Sequence, residues 1–410
     1  MSASVLGHLT LGYQWVWQRQ RRVAAVQLFV LSDTQAPVDA RHLLDVLAQT
    51  WTGDSARLIL SVQSTPLLAD LLQHAPADGP WLVVQASQLA LQDDLTAQVQ
   101  AAARRQVPML WRGEPGERLA ADMQACFLRS MMAMTAGEAL LALHEARHAT
   151  GGSASTQASR RNKPIMEDQI YEGIGSLALA EHCLDHAGAW GVAGWPIEDV
   201  LHGYRERAIE PAKPDLLRLI GAVDRDLSID RIEHLLACEP LLAYRFLRFA
   251  NSARFGLRSD IESLRHGLMI HGLSTLRHWL MDQLTSASED GNLQPARQAM
   301  VLRSQLMEQL LDAGDQDSLR REVVLCGLLS QIDLLAGEPL GSAMQRIPVS
   351  QRVLGAVLSN SGPYAAYLQI ATALEYPAMH AIPELCASND IDIADVNRTL
   401  LRVLSQARTT

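Results

Sequence analysis

Residues 235–276 read LLACEPLLAYRFLRFANSARFGLRSDIESLRHGLMIHGLSTL, and this stretch decides the fold of the second half of the chain. The pair Glu239-Pro240 predicts a helix start, because proline is accepted in the first turn, where its missing N–H leaves nothing unpaired. Apolar side chains then recur at helical spacing as far as Asn251-Ser252. That pair predicts a helix end and a turn that fixes the following loop to Ile261. A second helix follows, and we expect Gly272 to interrupt it.

The remainder of the chain divides into two halves of different character. Only helical patterns follow residue 207, which predicts an all-α bundle. The first half alternates helical segments with the short apolar runs VAAVQLFVL, ARLILSVQ, WLVVQ and VPMLW, at 23–31, 56–63, 81–85 and 107–111. This rhythm predicts parallel strands covered by helices. Residues 117–147 predict one long helix, and the small polar residues 151–161 predict a flexible loop within the first domain. Residues 170–195 predict a short strand, a helix over 177–187 and a second short strand. We therefore predict two domains, 1–206 and 207–410.

Composition narrows the functional class. The formal net charge is −10, which disfavours a nucleic-acid backbone as the main partner. The five cysteines are scattered, so they predict neither a metal-binding nor a redox pair, and they suit a reducing compartment. No apolar run approaches the length of a membrane span, and no basic region precedes the first apolar stretch. We therefore expect a cytoplasmic protein.

The stretch 235–276 resembles the signature of the HDOD domain. The residues that carry the resemblance are Glu239, Pro240, Asn251, Ser252, Ile261, Ser263 and Gly272. Residues 324–375 resemble the later part of the same domain in proteins that fuse an EAL domain to an HDOD domain. HDOD domains resemble HD-type metal phosphohydrolases that lack the metal site. Here the position of the His-Asp ligand pair falls on Ser330 and Gln331, which carry no charge to offset a metal ion.

The first half resembles a degenerate EAL domain. An intact EAL domain is a modified (β/α) barrel whose strand-end acids hold two metal ions that cleave cyclic di-GMP. The Glu-x-Leu triplet of that domain falls on Gln27 and the two residues after it. The positions that correspond to its acidic motifs are Gln27, Gln85, Trp111, Arg112, Glu172 and Gly175. Only Glu172 is an acid, and Arg112 puts a cation where the resemblance implies an anion. The resemblance thus implies that metal binding is lost. The short length also predicts an incomplete or open barrel, because a (β/α) barrel takes about 250 residues.

Three further patterns have two interpretations each. His144-Glu145-Ala146-Arg147-His148 matches the HExxH zinc motif, although an exposed helix end rich in His and Arg is the simpler reading. His266, His271 and His278 are either ligands or ordinary surface and capping histidines. The arginines of the early HDOD helices form either a patch for an acidic partner or a solvated face balanced by nearby acids.

These observations predict a regulatory signalling protein that is not an enzyme and needs no cofactor. Its HDOD domain would act by binding a protein of unknown identity. Two alternatives stay open at this point: a receptor that binds cyclic di-GMP without hydrolysis, and, ranked lower, a metal-dependent phosphodiesterase. Cyclic di-GMP ranks below a protein as the expected partner, and neither nucleic acid nor a membrane is expected. The oligomeric state is not predicted.

Overall fold

The computed structural model describes residues 5–32, 38–91, 93–115, 117, 119–149, 165–256, 258–311 and 317–407, without the side chains of 91, 93 and 145–149. The predicted loop at 151–161 and the side chains of Glu145 and His148 lie outside these described residues. Contacts group the chain into two units, Met1–Asp199 with Ala373–Thr410, and Val200–Thr372. We call them the barrel unit and the helical unit.

Eight strands build the barrel unit. They are β1 (Leu9–Gln18), β2 (Arg22–Ser32), β3 (Arg57–Val62), β4 (Trp81–Gln85), β5 (Met109–Gly113), β6 (Arg129–Ala133), β7 (Ile170–Glu172) and β8 (Gly191–Ala193). The strands follow one another in chain order around a closed barrel. Strand β1 is antiparallel to both β2 and β8, and all other neighbouring strands are parallel. The modified (β/α) barrel is therefore confirmed.

The barrel is closed, so the expectation of an incomplete or open sheet is wrong. Two strands that the sequence patterns did not reveal account for the difference. Strand β1 closes the ring by pairing with β8, and β6 lies inside the segment 117–147 that was predicted to be one helix. Strands β7 and β8 have only three residues each, so a complete ring fits into a short domain.

Helices cover the barrel between the strands. They are α1 (Ala40–Thr50), α2 (Thr65–His74), α3 (Ala86–Leu91), α4 (Asp93–Arg104), α5 (Ala121–Gln124), α6 (Ala136–Ala149) and α7 (Leu177–Glu181), and α8 (Ile197–His202) follows at the junction with the helical unit. Side chains of Asp39, Ser64 and Ser176 accept hydrogen bonds from backbone N–H groups at the starts of α1, α2 and α7. These caps fix where the helices begin and so where the loops at the barrel ends lie.

The helical unit is an all-α bundle, as predicted. Its helices are α9 (Lys213–Asp224), α10 (Ile229–Ala237), α11 (Pro240–Ala250), α12 (Leu264–Leu284), α13 (Gln294–Leu310), α14 (Asp317–Leu329), α15 (Asp333–Ala336), α16 (Leu340–Gln345), α17 (Gln351–Ser359) and α18 (Ala365–Ala373). Gly272 has φ +74° and ψ 165° and interrupts α12, because glycine adopts this backbone conformation without a Cβ clash. Across the described residues, no helix is long and apolar enough to span a membrane.

The last two helices, α19 (Ile382–Ser388) and α20 (Ile393–Ser405), belong to the barrel unit. The reason is a set of hydrogen bonds made by Asn397, which is fully buried on α20. Its Nδ2 donates to the carbonyls of Leu6 and Leu9 at 2.8 and 2.7 Å, and its Oδ1 accepts from the Leu11 N–H at 3.3 Å. The contacts therefore divide the chain differently from the boundary drawn at 206/207, since residues 373–410 pack on the barrel.

Candidate functional site

Side chains that point into the barrel change from apolar to polar along the strands. Ile59, Val83, Leu110, Met131 and Ile170 belong to one buried apolar cluster inside the ring. Residues two positions further along their strands face inward as well. At the carboxyl ends of the strands these inward positions hold Gln27, Ser61, Gln85, Arg112 and Glu172. Barrels of this type place their functional residues at this end.

Gln27 is the centre of this polar layer. It is fully buried on β2, and its amide Nε2 lies 3.0 Å from Ser61 Oγ and 3.1 Å from Glu172 Oε1. Met131 Sδ is a third, weaker acceptor at 3.7 Å. The Gln27 Oε1 atom is buried and finds no hydrogen-bond partner among the described residues. A buried amide oxygen without a partner is costly, so this acceptor has an unmet hydrogen-bonding capacity.

Glu172 is held by a second contact. Arg112 Nε donates to Glu172 Oε2 at 2.6 Å, and the Glu172 side chain is only 11% exposed. The barrel therefore brings together three of the predicted positions: Gln27 from β2, Arg112 from β5 and Glu172 from β7. An amide and a guanidinium surround the one retained acid, and the guanidinium neutralises its charge.

Three predicted positions do not join this cluster. Trp111 points out of the barrel into the apolar cluster that contains Met132 and Tyr171, and its indole N–H has no partner among the described residues. The Gln85 backbone N–H donates to Gln88 Oε1. Gly175 is exposed and follows the end of β7.

The residues at the barrel mouth do not fit the two metal ions that the EAL resemblance implies. Divalent ions of this kind need several carboxylates with free oxygens, whereas Glu172 is the one acid in the inward layer described above and is already paired. Nowhere in the described parts of the chain do three His, Cys, Asp or Glu side chains form a group that could hold a metal ion.

The segment that leads to α19 covers part of the same mouth. Tyr13 N–H donates to the Leu374 carbonyl and Tyr376 N–H donates to the Tyr13 carbonyl, both at 2.9 Å. The Tyr376 ring stacks on Phe29 of β2 with centroids 4.0 Å apart. Close by, a Cβ on Gly12 would lie 2.6 Å from Met379 Sδ, so glycine at that position makes room for the buried methionine. The sequence patterns did not predict that the segment before α19 covers part of the barrel mouth.

In the helical unit, the signature residues organise the start and the end of α11. Glu239 is buried, caps α11 by accepting from the Leu242 N–H at 2.6 Å, and forms an ion pair with the buried Arg297 at 2.9 Å. At the other end, the Asn251 amide bonds both the N–H and the carbonyl of Ile261, at 2.8 and 2.9 Å. The loop between α11 and α12 is therefore fixed to Ile261, as the sequence predicts.

The other signature and candidate positions have local partners. Ser263 caps α12 by accepting from the His266 N–H. Ser330 Oγ donates to the Gly327 carbonyl, and Gln331 follows it in the turn before α15. Ring nitrogens of His271 and His278 lie 2.9 and 2.8 Å from the carbonyls of Ala250 and Ser274. The His271 contact is at the end of α11, whereas the His278 contact lies within α12.

This helical arrangement agrees with a comparison to known protein families, in which residues 212–339 match the HDOD domain. These residues form an HDOD domain. The match spans α9 to α15 and includes every signature residue named from the sequence. The resemblance to EAL–HDOD signalling proteins is thus confirmed, with the HDOD domain after the closed barrel.

Two curated proteins share about half of the chain. Cyclic di-GMP phosphodiesterase CdgJ of Vibrio cholerae is 21% identical over 198 residues, which cover 48% of this chain and 46% of that protein. The uncharacterized protein YuxH of Bacillus subtilis is 23% identical over 218 residues, which cover 52% of this chain and 49% of that protein. The chain therefore spans about half the length of the curated relatives it matches.

Two solved structures are also similar to part of the chain. The MmoQ response regulator of Methylococcus capsulatus is 18% identical with a TM-score of 0.38, and the match covers 49% of this chain and 99% of that one. BlrP1 of Klebsiella pneumoniae, solved with manganese and cyclic di-GMP, is 12% identical with a TM-score of 0.31, covering 46% and 55%.

The relative from Vibrio cholerae corrects one prediction, namely that the chain is not an enzyme. A protein that matches half of this chain is a cyclic di-GMP phosphodiesterase, so the chain cannot be assigned to a class without enzymes. The prediction counted lost carboxylates at a few aligned positions. Those losses describe the barrel mouth alone and do not extend to the activity of the whole protein.

Proposed function

We propose that this chain is a signalling protein of the EAL–HDOD type whose HDOD domain binds an acidic protein partner. The observation that carries the proposal is a surface at the end of α11 and in the first part of α12, made of Arg248, Arg254, Met269 and Ile270. We call it the α11–α12 surface. All four side chains are exposed, and Met269 and Ile270 are 58% and 53% exposed. Exposed apolar side chains that are next to each other commonly mark a protein contact.

The two arginines of the α11–α12 surface can form hydrogen bonds with an acidic partner. Arg254 stacks on the rings of Phe249 and Phe255, at 4.7 and 4.6 Å from their centroids, and Arg248 stacks on Tyr244 at 5.6 Å. Neither arginine forms an ion pair with a carboxylate of the described residues. Stacking holds a guanidinium in place while leaving its N–H groups free to donate. An acidic segment would therefore find oriented donors here.

The apolar and basic parts lie side by side. His271, the next residue after Ile270, packs against Phe255 with ring centroids 4.1 Å apart, and Phe255 also carries the Arg254 guanidinium. The Asn251 hydrogen bonds to Ile261 fix the loop between them. A partner that binds here meets an apolar centre with a basic edge, the composition typical of protein interfaces.

The test compares surface variants of the full chain. Partners are captured from cells by cross-linking and identified, and the affinity of each purified partner is then measured by titration. We expect Arg254→Glu and the double variant Met269→Ser/Ile270→Ser to weaken binding at least about tenfold, since loss of an apolar anchor or of a basic contact costs more than about 1.4 kcal/mol. Binding should also weaken as salt is raised.

Leu358→Ser is the matched control, because Leu358 is 44% exposed on α17 of the same unit. Circular dichroism of every variant confirms that it is folded. The proposal fails if identified partners bind the α11–α12 surface variants as tightly as they bind the wild type and the control.

A second candidate function is recognition of cyclic di-GMP at the barrel mouth. The unpartnered Gln27 Oε1 favours it, because a base N–H could donate to this atom, and Arg112 in the same polar layer could bind a phosphate group. The relative that is a cyclic di-GMP phosphodiesterase supports the choice of ligand. This candidate does not depend on the α11–α12 surface.

Calorimetric titration with cyclic di-GMP, with and without Mn²⁺, tests this second candidate, and the mixture is then analysed for hydrolysis products. We expect binding that Arg112→Leu weakens about tenfold or more, because a charge-assisted contact to phosphate is lost. Arg104→Leu, which removes an exposed charge from α4, should bind like the wild type. Absence of heat at millimolar ligand would eliminate the candidate, and product formation would identify the enzyme's reaction.

A further inference from the structure

A large cavity lies at the end of the barrel opposite the polar mouth. Its volume is about 1030 Å³, and it is lined by residues that open strands, including Arg57 of β3, Trp81 of β4 and Arg129 of β6. Trp190, just before β8, and residues of α1 complete the lining. A cavity of this size holds a ligand as large as a mononucleotide.

Aromatic rings and guanidinium groups are stacked inside this cavity. The Arg129 guanidinium lies 5.4 and 5.1 Å from the ring centroids of Trp81 and Trp190, and Arg57 lies 5.4 Å from that of Trp81. The two indoles contact each other at 5.2 Å. Because Arg57, Trp81 and Arg129 occupy inward positions at the first residues of their strands, the barrel itself sets these distances.

The positive charge of the stack is only partly neutralised. Arg129 forms an ion pair with Asp168 at 2.9 Å, whereas Arg57 forms none with a carboxylate in the parts of the chain that the structure describes. Arg57 is exposed, and its guanidinium keeps its in-plane N–H donors while its face rests on the indole. Among the other lining residues, Arg41 adds one charge of the same sign, and Asp45 and Asp78 add two of the opposite sign.

We propose that this cavity binds an aromatic anion, a molecule with a flat ring and a phosphate or carboxylate group. The anionic group would accept hydrogen bonds from Arg57, and the ring would lie against Trp190 and the wall formed by α1. The combination of a positioned guanidinium with the half-buried indole of Trp190 satisfies both parts of such a ligand. This site is separate from the barrel mouth and from the α11–α12 surface, so its test is independent of theirs.

The experiment is calorimetric titration of the full chain with four probes. AMP carries a ring and a phosphate, 1-naphthoate carries a ring and a carboxylate, adenosine has the ring without the charge, and inorganic phosphate has the charge without the ring. We expect AMP or 1-naphthoate to bind at least about tenfold more tightly than adenosine and phosphate, as expected for a charge-assisted contact added to ring burial. Which of the two anions binds distinguishes a phosphate ligand from a carboxylate ligand.

Variants then locate the site. Arg57→Leu and Trp190→Leu should each weaken binding of the better probe about tenfold or more, while Arg104→Leu, which removes an exposed charge outside the cavity lining, should leave it unchanged. Arg57 is exposed, so its variant is expected to fold even if the tryptophan variant does not. Binding of adenosine as tight as that of the better anionic probe, unchanged binding in Arg57→Leu, or no heat from any probe at millimolar concentration would each overturn the proposal. The stacked side chains would then only close this end of the barrel.

Discussion

Replacing Arg297 by leucine should destabilise the helical unit by about 3–5 kcal/mol, because it leaves the buried Glu239 carboxylate without its countercharge. The two side chains are 2% and 1% exposed and lie 2.9 Å apart. Arg297 also donates from Nη2 to the Glu210 carbonyl at 2.8 Å. The change therefore removes an ion pair and a hydrogen bond while a charged group stays inside the bundle. Urea unfolding followed by circular dichroism measures the loss.

The pH dependence of this loss has a definite sign. Burial raises the pKa of the Glu239 carboxyl, and Arg297 opposes that rise. Without Arg297 the folded-state pKa moves further above the unfolded value of about 4.3. A raised folded-state pKa gives stability that is present at low pH and is lost as the pH rises through it. The deficit of Arg297→Leu should therefore shrink between pH 7 and about pH 4.

Arg277→Leu is the control for this variant. Arg277 pairs with Asp224 at 2.6 Å, but both side chains are more than 40% exposed, so its loss should leave stability close to that of the wild type. Adding Glu239→Gln to Arg297→Leu should recover part of the loss, since the amide carries no charge. A loss below about 1 kcal/mol for Arg297→Leu alone would show that the carboxylate is protonated or solvated in the folded protein.

The second large effect is expected from Asn397→Leu, which should destabilise the barrel unit by about 3–5 kcal/mol. The variant leaves the carbonyls of Leu6 and Leu9 and the N–H of Leu11 without the hydrogen bonds that Asn397 makes. Each buried backbone group without a partner costs about 1–3 kcal/mol. Hydrogen exchange should show the loss first in β1, because that strand holds Leu9 and Leu11.

Arg398→Leu provides a neighbouring control on the same helix. Arg398 and its partner Asp395 are at least half exposed, so this change should stay within about 0.5 kcal/mol of the wild type. If Asn397→Leu were as stable as Arg398→Leu, and β1 amides exchanged at wild-type rates, then α20 would not hold the first strand as the hydrogen bonds indicate.

The sequence was sufficient to predict those strands whose apolar runs lie between clear helical patterns. It failed for β1, whose residues are almost all buried and include Gly12 and Gln14 on the inward face, so neither an alternating nor a purely apolar pattern appears. It failed for β6, which is five residues long and rich in methionine, a residue common in helices as well. Periodicity identified α20 as a helix. It could not predict which hydrophobic core α20 packs against, because an apolar helix face can be buried in either one.

The candidate sites also differ in how much of them could be predicted from the sequence. Motif positions placed Gln27, Arg112 and Glu172 on three separate segments, but only the barrel shows that they touch. The HDOD residues were recognisable because Glu239, Asn251 and Ile261 act over short distances along the chain. One sequence feature could have predicted the cavity at the other barrel end. Arg57 and Arg129 are the first residues of their strands, and their side chains share the inward face.

The position of α20 has a consequence for the order of folding during synthesis. The ribosome makes β1 before the helical unit. It makes α20, whose Asn397 bonds to residues in and next to β1, only after the whole of Val200–Thr372 has been produced. At 5–20 residues per second, the roughly 375 residues from the end of β1 to the start of α20 take about 20–75 s. During this time the HDOD domain can fold within its own continuous segment, while the carbonyls of Leu6 and Leu9 and the N–H of Leu11 still lack the Asn397 side chain. The strand made before the HDOD domain therefore completes its native hydrogen bonds only after that domain has been made.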